Sequence, residues 1–303
     1  MNSSLKQRIW TNRHFYLFIS PFFIIFGIFG LYPLIYSFVL SFMEWDGLTK
    51  PVYVGLSNFA TLFHDPPFYR SLLNTIIIGL MYIPPMFFLA FIFAVILNNQ
   101  AIRFRGIFRA AVFIPCITPM VVIALVFRLY YSEEQGLFNW LIELFCSFLP
   151  WGPAPPVIPW ISSPEWSKPS LAILLVWRWT GYNMLMMLAG LQGISKDYYE
   201  SAKIDGATWW QEMWHITLPL MRPMFIFCSI MSLLGTVYMF DEVFVMTNGG
   251  PGTSSTNFGL FLFNKSFTDF RFGYASAAAY VVASVVFIIT LFILRWRKPM
   301  GEA

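Results

Sequence analysis

The sequence predicts an all-α membrane protein with six transmembrane helices and both termini cytoplasmic. Three observations carry this reading. The 303 residues are 58% hydrophobic and 11% charged, whereas an ordinary soluble domain devotes about a quarter of its residues to charge. Apolar runs of twenty or more residues recur along the chain and are apolar on all sides. A lipid-facing barrel would instead alternate apolar and polar residues with period two. Lys and Arg, finally, gather in alternate loops, which fixes an orientation.

The spans follow in order. The first apolar run covers about 15–42, after Lys6, Arg8 and Arg13. It is too long for the apolar region of a cleavable leader and lacks a small-residue cleavage site, so it reads as a membrane helix. Further runs near 71–98, 107–131, 170–191, 223–246 and 275–294 can each cross a hydrocarbon core of about 30 Å at about 1.5 Å per residue. Pro33, Pro84, Pro85, Pro115 and Pro119 interrupt them, bending helices and freeing carbonyls that the bundle must satisfy. The N-terminus, second loop (Arg103, Arg105, Arg109), fourth loop (Lys196, Lys203, Arg222) and C-terminus (Arg295, Arg297, Lys298) hold twelve basic residues. Lys50, Arg70, Lys168, Lys265 and Arg271 stand on the other side. Loops two and four are therefore cytoplasmic. The organisation expected is an N-terminal segment with the first helix and an external loop over 1–70, a five-helix membrane domain over 71–294, and a cytoplasmic tail over 295–303.

A net charge of +4 on scattered bases gives no nucleic-acid surface. Cys116, Cys146 and Cys228 are odd in number and unpatterned, so neither a disulfide framework nor a metal site is expected. The external segment 150–169 is rich in Pro and Trp and reads as a stiff, non-helical cap at the membrane surface.

Cytoplasmic loop four, 193–223, runs G-I-S-K-D-Y-Y-E-S-A-K-I-D-G-A-T-W-W-Q-E-M-W-H-I-T-L-P-L-M-R-P. It reads as two short helices. Ser195 caps the first, Asp197 lies in its first turn where it suits the helix dipole, and Gly206 ends it. The second runs through Trp210, Met213 and Trp214, and Leu218-Pro219 with Pro223 marks a turn into the fifth span. A tryptophan-bearing amphipathic helix can simply lie in the interface, but that does not explain the order Glu200, Ala202, Asp205, Gly206, Ala207, Ile216, Leu218, Pro219.

That order resembles the EAA signature of permease subunits in binding-protein-dependent ABC importers, E-A-A, three residues, G, nine residues, I-x-L-P. Ser201 stands where the family has a second Ala, and Ser195 where a Pro is common. The resemblance implies a type-1 ABC importer transmembrane fold in a bacterial plasma (inner) membrane. Glu200, Ser201, Ala202, Asp205, Gly206 and Ala207 would then form the coupling element that sits in a cleft of an ATP-binding subunit. Expected partners are a second related permease, a dimer of ATP-binding subunits, an extracytoplasmic solute-binding protein and a sugar substrate. No cofactor is expected on this chain, with ATP and Mg on the partner subunits.

Two further stretches, F-D-E-V-F-V-M-T-N-G-G-P-G from Phe240 and F-G-Y-A-S-A-A-A-Y from Phe272, are similar to carbohydrate permeases of the maltose and glycerol-phosphate type. S-P-F-F-I-I-F from Ser20, L-Y-P-L-I-Y-S-F from Leu31 and G-L-S-N-F from Gly55 resemble the first-listed permease of a sugar importer pair. The expected cargo is an oligosaccharide or related carbohydrate, with a glycerol phosphate as the alternative. Bottom-up, Asn248-Gly-Gly-Pro-Gly is a turn and 275–279 is a small-residue packing face.

Charges inside a membrane cost about 2.5 to 3.5 kcal/mol at mid-helix. Arg128, Arg178, Asp241 and Glu242 all fall in the outer part of their spans, about 12 Å down span four for Arg178 and about 7 Å from the end of span five for Asp241. They read either as a polar lining or gate, or as a structural ion pair. A neutral sugar wants hydrogen-bonding groups beside aromatic faces. Trp179, Gly181, Tyr182 and Asn183 on span four and Gly235, Thr236 and Tyr238 on span five, with Asp241 and Glu242, are the pathway candidates.

The chain is not expected to be an enzyme. His14, His64 and His215 lie apart, no paired-carboxylate site emerges, and no G-x-x-x-x-G-K-[ST] phosphate loop occurs. A stand-alone secondary transporter would need its own coupling-ion site and has no use for an EAA loop.

Overall fold

The computed structural model describes residues 10, 12–99, 101–148 and 157–295. Lys6, Arg8, Arg297, Lys298 and the 150–156 part of the expected cap lie outside them. The chain divides into two compact units, Met1–Asp65 with Leu262–Ser284 and Pro66–Phe261 with Val285–Ala303.

In the first unit, α1 (Arg13–Phe26), a π-helical turn (Gly27–Leu31) and α2 (Tyr32–Leu40) form one apolar rod. The π turn immediately precedes Pro33, the second residue of α2. A proline lacks an N–H and crowds the carbonyl four residues back, and a widened turn relieves that crowding without a break. A two-stranded antiparallel hairpin follows, β1 (Met43–Glu44) with β2 (Val52–Tyr53), then α3 (Ser57–Leu62). Buried Asn58 donates to the Ser41 and Met43 carbonyls at 3.0 and 2.9 Å, satisfying groups the hairpin leaves open. The Phe272 N–H reaches the Trp45 carbonyl at 3.0 Å. The Tyr274 hydroxyl donates to Asp65 at 2.5 Å. Ala275, Ala277 and Ala278 are buried, the packing face their size suits.

In the second unit, α4 (Pro66–Asn98) packs along α8 (Ser167–Gln192) as the most extensive helix pair. Between them in sequence stand α5 (Arg105–Ile117), α6 (Met120–Tyr130) and α7 (Leu137–Ser147). Span three is thus not the single bent helix the sequence suggested. It breaks at Thr118-Pro119, where α5 and α6 meet at 94°. Thr118 is extended (ψ 137°), the conformation a following proline imposes. Pro84 and Pro85, by contrast, sit inside an unbroken α4.

After α8 come α9 (Lys196–Ile204) and α10 (Trp209–Glu212), a π-helical turn (Met213–Thr217) and α11 (Leu218–Tyr238). The turn expected at Leu218-Pro219 is absent. Trp209–Tyr238 is one continuous rod of 30 residues, and its π turn precedes Pro219 as the first one precedes Pro33. Span five also ends earlier than expected. Met239 leaves the helix, and α12 (Asp241–Met246) is a separate short element. The Met239 carbonyl so freed accepts the amide of fully buried Asn257. The chain closes with α13 (Phe258–Phe263), a third π turn (Asn264–Thr268) and α14 (Phe272–Arg295). Among the described residues, five helices are long and apolar enough to cross a membrane, or six when α5 and α6 count as one broken span.

Candidate functional site

Two regions carry the candidate residues. The first is cytoplasmic loop four. Ser195 is extended (ψ 137°), and its Oγ accepts the Asp197 N–H at 3.3 Å and donates to Asp197 Oδ2 at 3.0 Å. α9 then stops on a full Schellman closure. The Gly206 N–H reaches the Lys203 carbonyl at 3.1 Å and the Ala207 N–H reaches the Ala202 carbonyl at 2.9 Å. Gly206 has φ +77°, and a Cβ there would meet nothing within 4 Å. The requirement for glycine is therefore conformational and not steric. Thr208 opens α10, its N–H donating to Gln211 Oε1 at 2.7 Å, half of a capping box the sequence reading missed.

The loop is tied inward and bare outward. Tyr199 Oη and Thr217 Oγ1 lie 3.0 Å apart, and Met213 is buried. Ile204 is 87% exposed, and Tyr198, Trp209, Trp210 and Trp214 are each more than half exposed. Glu200, Ser201, Asp205 and Gly206 are exposed, Ala202 and Ala207 half-buried. Glu200 makes no hydrogen bond or ion pair among the described residues. Exposed apolar side chains beside a free carboxylate make this loop a candidate protein-binding surface.

The second region is a cavity of about 90 Å³ within the membrane helices. It is lined by Tyr82 and Met86 of α4, Leu175, Trp179, Tyr182 and Asn183 of α8, Met231, Ser232 and Gly235 of α11, and Glu242 of α12. The Tyr82 hydroxyl and Thr236 Oγ1 are 2.7 Å apart, and Thr236 Oγ1 donates to the Ser232 carbonyl at 2.7 Å. Asn183 Nδ2 donates to the Trp179 carbonyl at 3.0 Å. The volume suits about three waters and no sugar ring.

Of the nine expected pathway residues, Trp179, Tyr182, Asn183, Gly235 and Glu242 meet here, and Thr236 braces the wall. Gly181 does not. A Cβ on it would collide with the Val112 backbone, so its role is the close approach of α8 to α5. Tyr238 and Asp241 are exposed outside the cavity. The expected pairing of membrane charges is also absent. No ion pair joins Arg128 or Arg178 to Asp241 or Glu242 among the described residues. Arg128 reaches the Val245 carbonyl at 3.4 Å, and Arg178 lies over the Trp179 ring at 5.2 Å with a hydrogen bond to Met120 Sδ. The sequence reading missed Tyr82 and Ser232. The signal available was a polar and small stripe on α4, Ser71, Asn74, Thr75, Gly79 and Tyr82, buried at spacings of three and four.

The family model described as binding-protein-dependent transport system inner membrane component matches residues 52–296. The chain is 35% identical to the lactose transport system permease protein LacF of Rhizobium radiobacter, over 95% of this chain and 94% of that protein. It is 33% identical to the arabinooligosaccharides transport system permease protein AraP of Bacillus subtilis (strain 168), over 97% and 93%. Its fold matches a chain of a bacterial ABC transporter involved in import of the acidic polysaccharide alginate, with TM-score 0.82 and 23% identity over 99% of this chain and 100% of that one.

Proposed function

The chain belongs to the family of binding-protein-dependent transport system inner membrane components, and from that premise we propose that it is the permease subunit of an ATP-driven importer of carbohydrate. The observation that carries the reading is the rod Trp209–Tyr238. It begins in the exposed cytoplasmic loop and ends beside the cavity at Gly235 and Thr236. Twenty-five residues of helix from Trp210 to Gly235 span about 38 Å. A displacement of the loop is thereby delivered across the membrane as motion of one cavity wall.

In this scheme Glu200, Ser201, Ala202, Asp205, Gly206 and Ala207 present the loop to an ATP-binding subunit. ATP and Mg are held and hydrolysed on a pair of those subunits. A second related permease completes the pathway, and an extracytoplasmic solute-binding protein delivers the cargo. Closure of the ATP-binding pair pushes the loop, α11 moves, and the cavity of about 90 Å³ opens to admit a sugar between Trp179, Tyr182 and Asn183. The names of the lactose and arabinooligosaccharide relatives and the aromatic and amide lining support a carbohydrate. The test is co-purification with the neighbouring subunits, then uptake of a sugar panel by the reconstituted importer. Transport of a sugar coupled to ATP hydrolysis is expected. ATP-independent uptake by this chain alone would overturn the reading.

A further inference from the structure

Glu242 stands apart from the rest of the cavity wall. It is 8% exposed and lines the cavity. Its carboxyl receives no hydrogen bond from another residue and joins no ion pair among the described residues. The charges within electrostatic reach are Arg178 and Asp241, one of each sign. Arg178 bonds Met120 and lies over the face of Trp179, and its buried Nε has no hydrogen-bond partner among the described residues. A largely buried carboxyl whose donor is its own backbone N–H is poorly satisfied, and one lining a cavity points to a ligand that brings further donors.

The remaining lining residues are uncharged: Tyr82, Met86, Leu175, Trp179, Tyr182, Asn183, Met231, Ser232 and Gly235. No Lys or Arg lines the cavity, whereas recognition of carboxylate, sulfonate or phosphate relies on cationic donors. An anionic solute would find no cation in this lining and would meet an acidic side chain there. A neutral polyol meets no such opposition. Its hydroxyls donate to the carboxyl, and its C–H face packs on Trp179 or Tyr182.

Resting on the carbohydrate reading above, we propose that Glu242 is a specificity-determining residue that admits uncharged carbohydrates and rejects uronates and sugar phosphates. The glycerol phosphate alternative is thereby disfavoured. The fold shared with the alginate importer chain does not bring acidic cargo with it.

The test uses the complete importer with its binding protein in proteoliposomes. Uptake is measured for lactose and an arabinose disaccharide and for two anions, digalacturonate and glycerol 3-phosphate, each normalised to its affinity for the binding protein. The unaltered importer is expected to carry a neutral sugar at least about tenfold better than either anion. Glu242→Gln replaces one carboxyl oxygen, an acceptor for a sugar hydroxyl, by an amide NH2 group. It is expected to lower neutral-sugar uptake roughly 10- to 100-fold and to narrow the ratio to the anions, with membrane insertion and ATP hydrolysis retained as controls. Anions carried as well as neutral sugars, or a ratio unchanged by Glu242→Gln, would overturn the role of Glu242 and leave carbohydrate import standing. Coupled transport of a non-carbohydrate in place of all four probes would overturn both.

Discussion

The cytoplasmic loop and the membrane cavity lie at the two ends of one rod, and they are built by opposite means. The loop is local. Ser195, Gly206 and Thr208 fix its caps and its left-handed turn through hydrogen bonds spanning at most five residues, and its outer face is left bare. The cavity is assembled from four helices whose contributing residues run from Tyr82 to Glu242, and its polar groups are mostly turned on one another. The loop is thus preformed, and the cavity is a space too small for a sugar ring, which the proposed mechanism requires to open.

The largest effect is expected at the loop. Gly206→Pro cannot adopt φ +77° and removes the N–H that bonds Lys203. Uptake should be abolished while the protein inserts and the ATP-binding subunits still hydrolyse ATP, measured as transport and ATPase on the same preparation. Gly206→Ala, which pays about 1–2 kcal/mol for the left-handed conformation, should retain partial uptake. Equal losses from both would break the assignment of a purely conformational role.

At the other end, Asn257→Ala leaves the buried Met239 carbonyl without its donor, a loss of about 1–3 kcal/mol. A lower unfolding midpoint in detergent should report it. Tyr82→Phe removes only the hydroxyl shared with Thr236, about 1 kcal/mol, and should loosen the cavity wall. A shift in apparent affinity for cargo larger than the shift in maximal rate would locate the effect at the wall and not at the loop.

The smallest effect lies outside both regions. Asp46 accepts the Thr49 and Leu48 N–H groups and the Thr49 hydroxyl, which lower its pKa from 3.8 to about 2. The folded value is depressed, so the contribution to the hairpin is present above about pH 4 and is lost as pH falls toward 2. Hydrogen exchange at Leu48 and Thr49 should be steady from pH 7 to 4 and accelerate below that, after correction for intrinsic rates, and Asp46→Asn should remove the dependence.

Much of the fold could be read from the sequence because membrane spans announce themselves by length and polarity. The loop could be read because caps and a positive-φ glycine are encoded in neighbouring residues. What escaped was set by tertiary context. Pro119 ends a helix through Thr118, Pro84 and Pro85 do not end α4, and Pro33 and Pro219 are absorbed by π turns. A proline alone does not say which of these will occur. Tyr82 and Ser232 escaped because a cavity wall is chosen by which helices meet. Gly181, read as pathway, lies where α8 closes on the Val112 backbone of α5.

The central claim is that loop and cavity share a rigid rod, and a distance along that rod tests it most directly. Gln211 and Met231 are both exposed, and twenty residues of helix separate their positions by about 30 Å. Spin labels at these two sites in the assembled importer should give one narrow distance distribution near that value, unchanged between nucleotide-free and ATP-trapped states. A second population, or a shift of about one helical turn (~5 Å) on trapping ATP, would show that the π turn Met213–Thr217 bends, and would contradict the account.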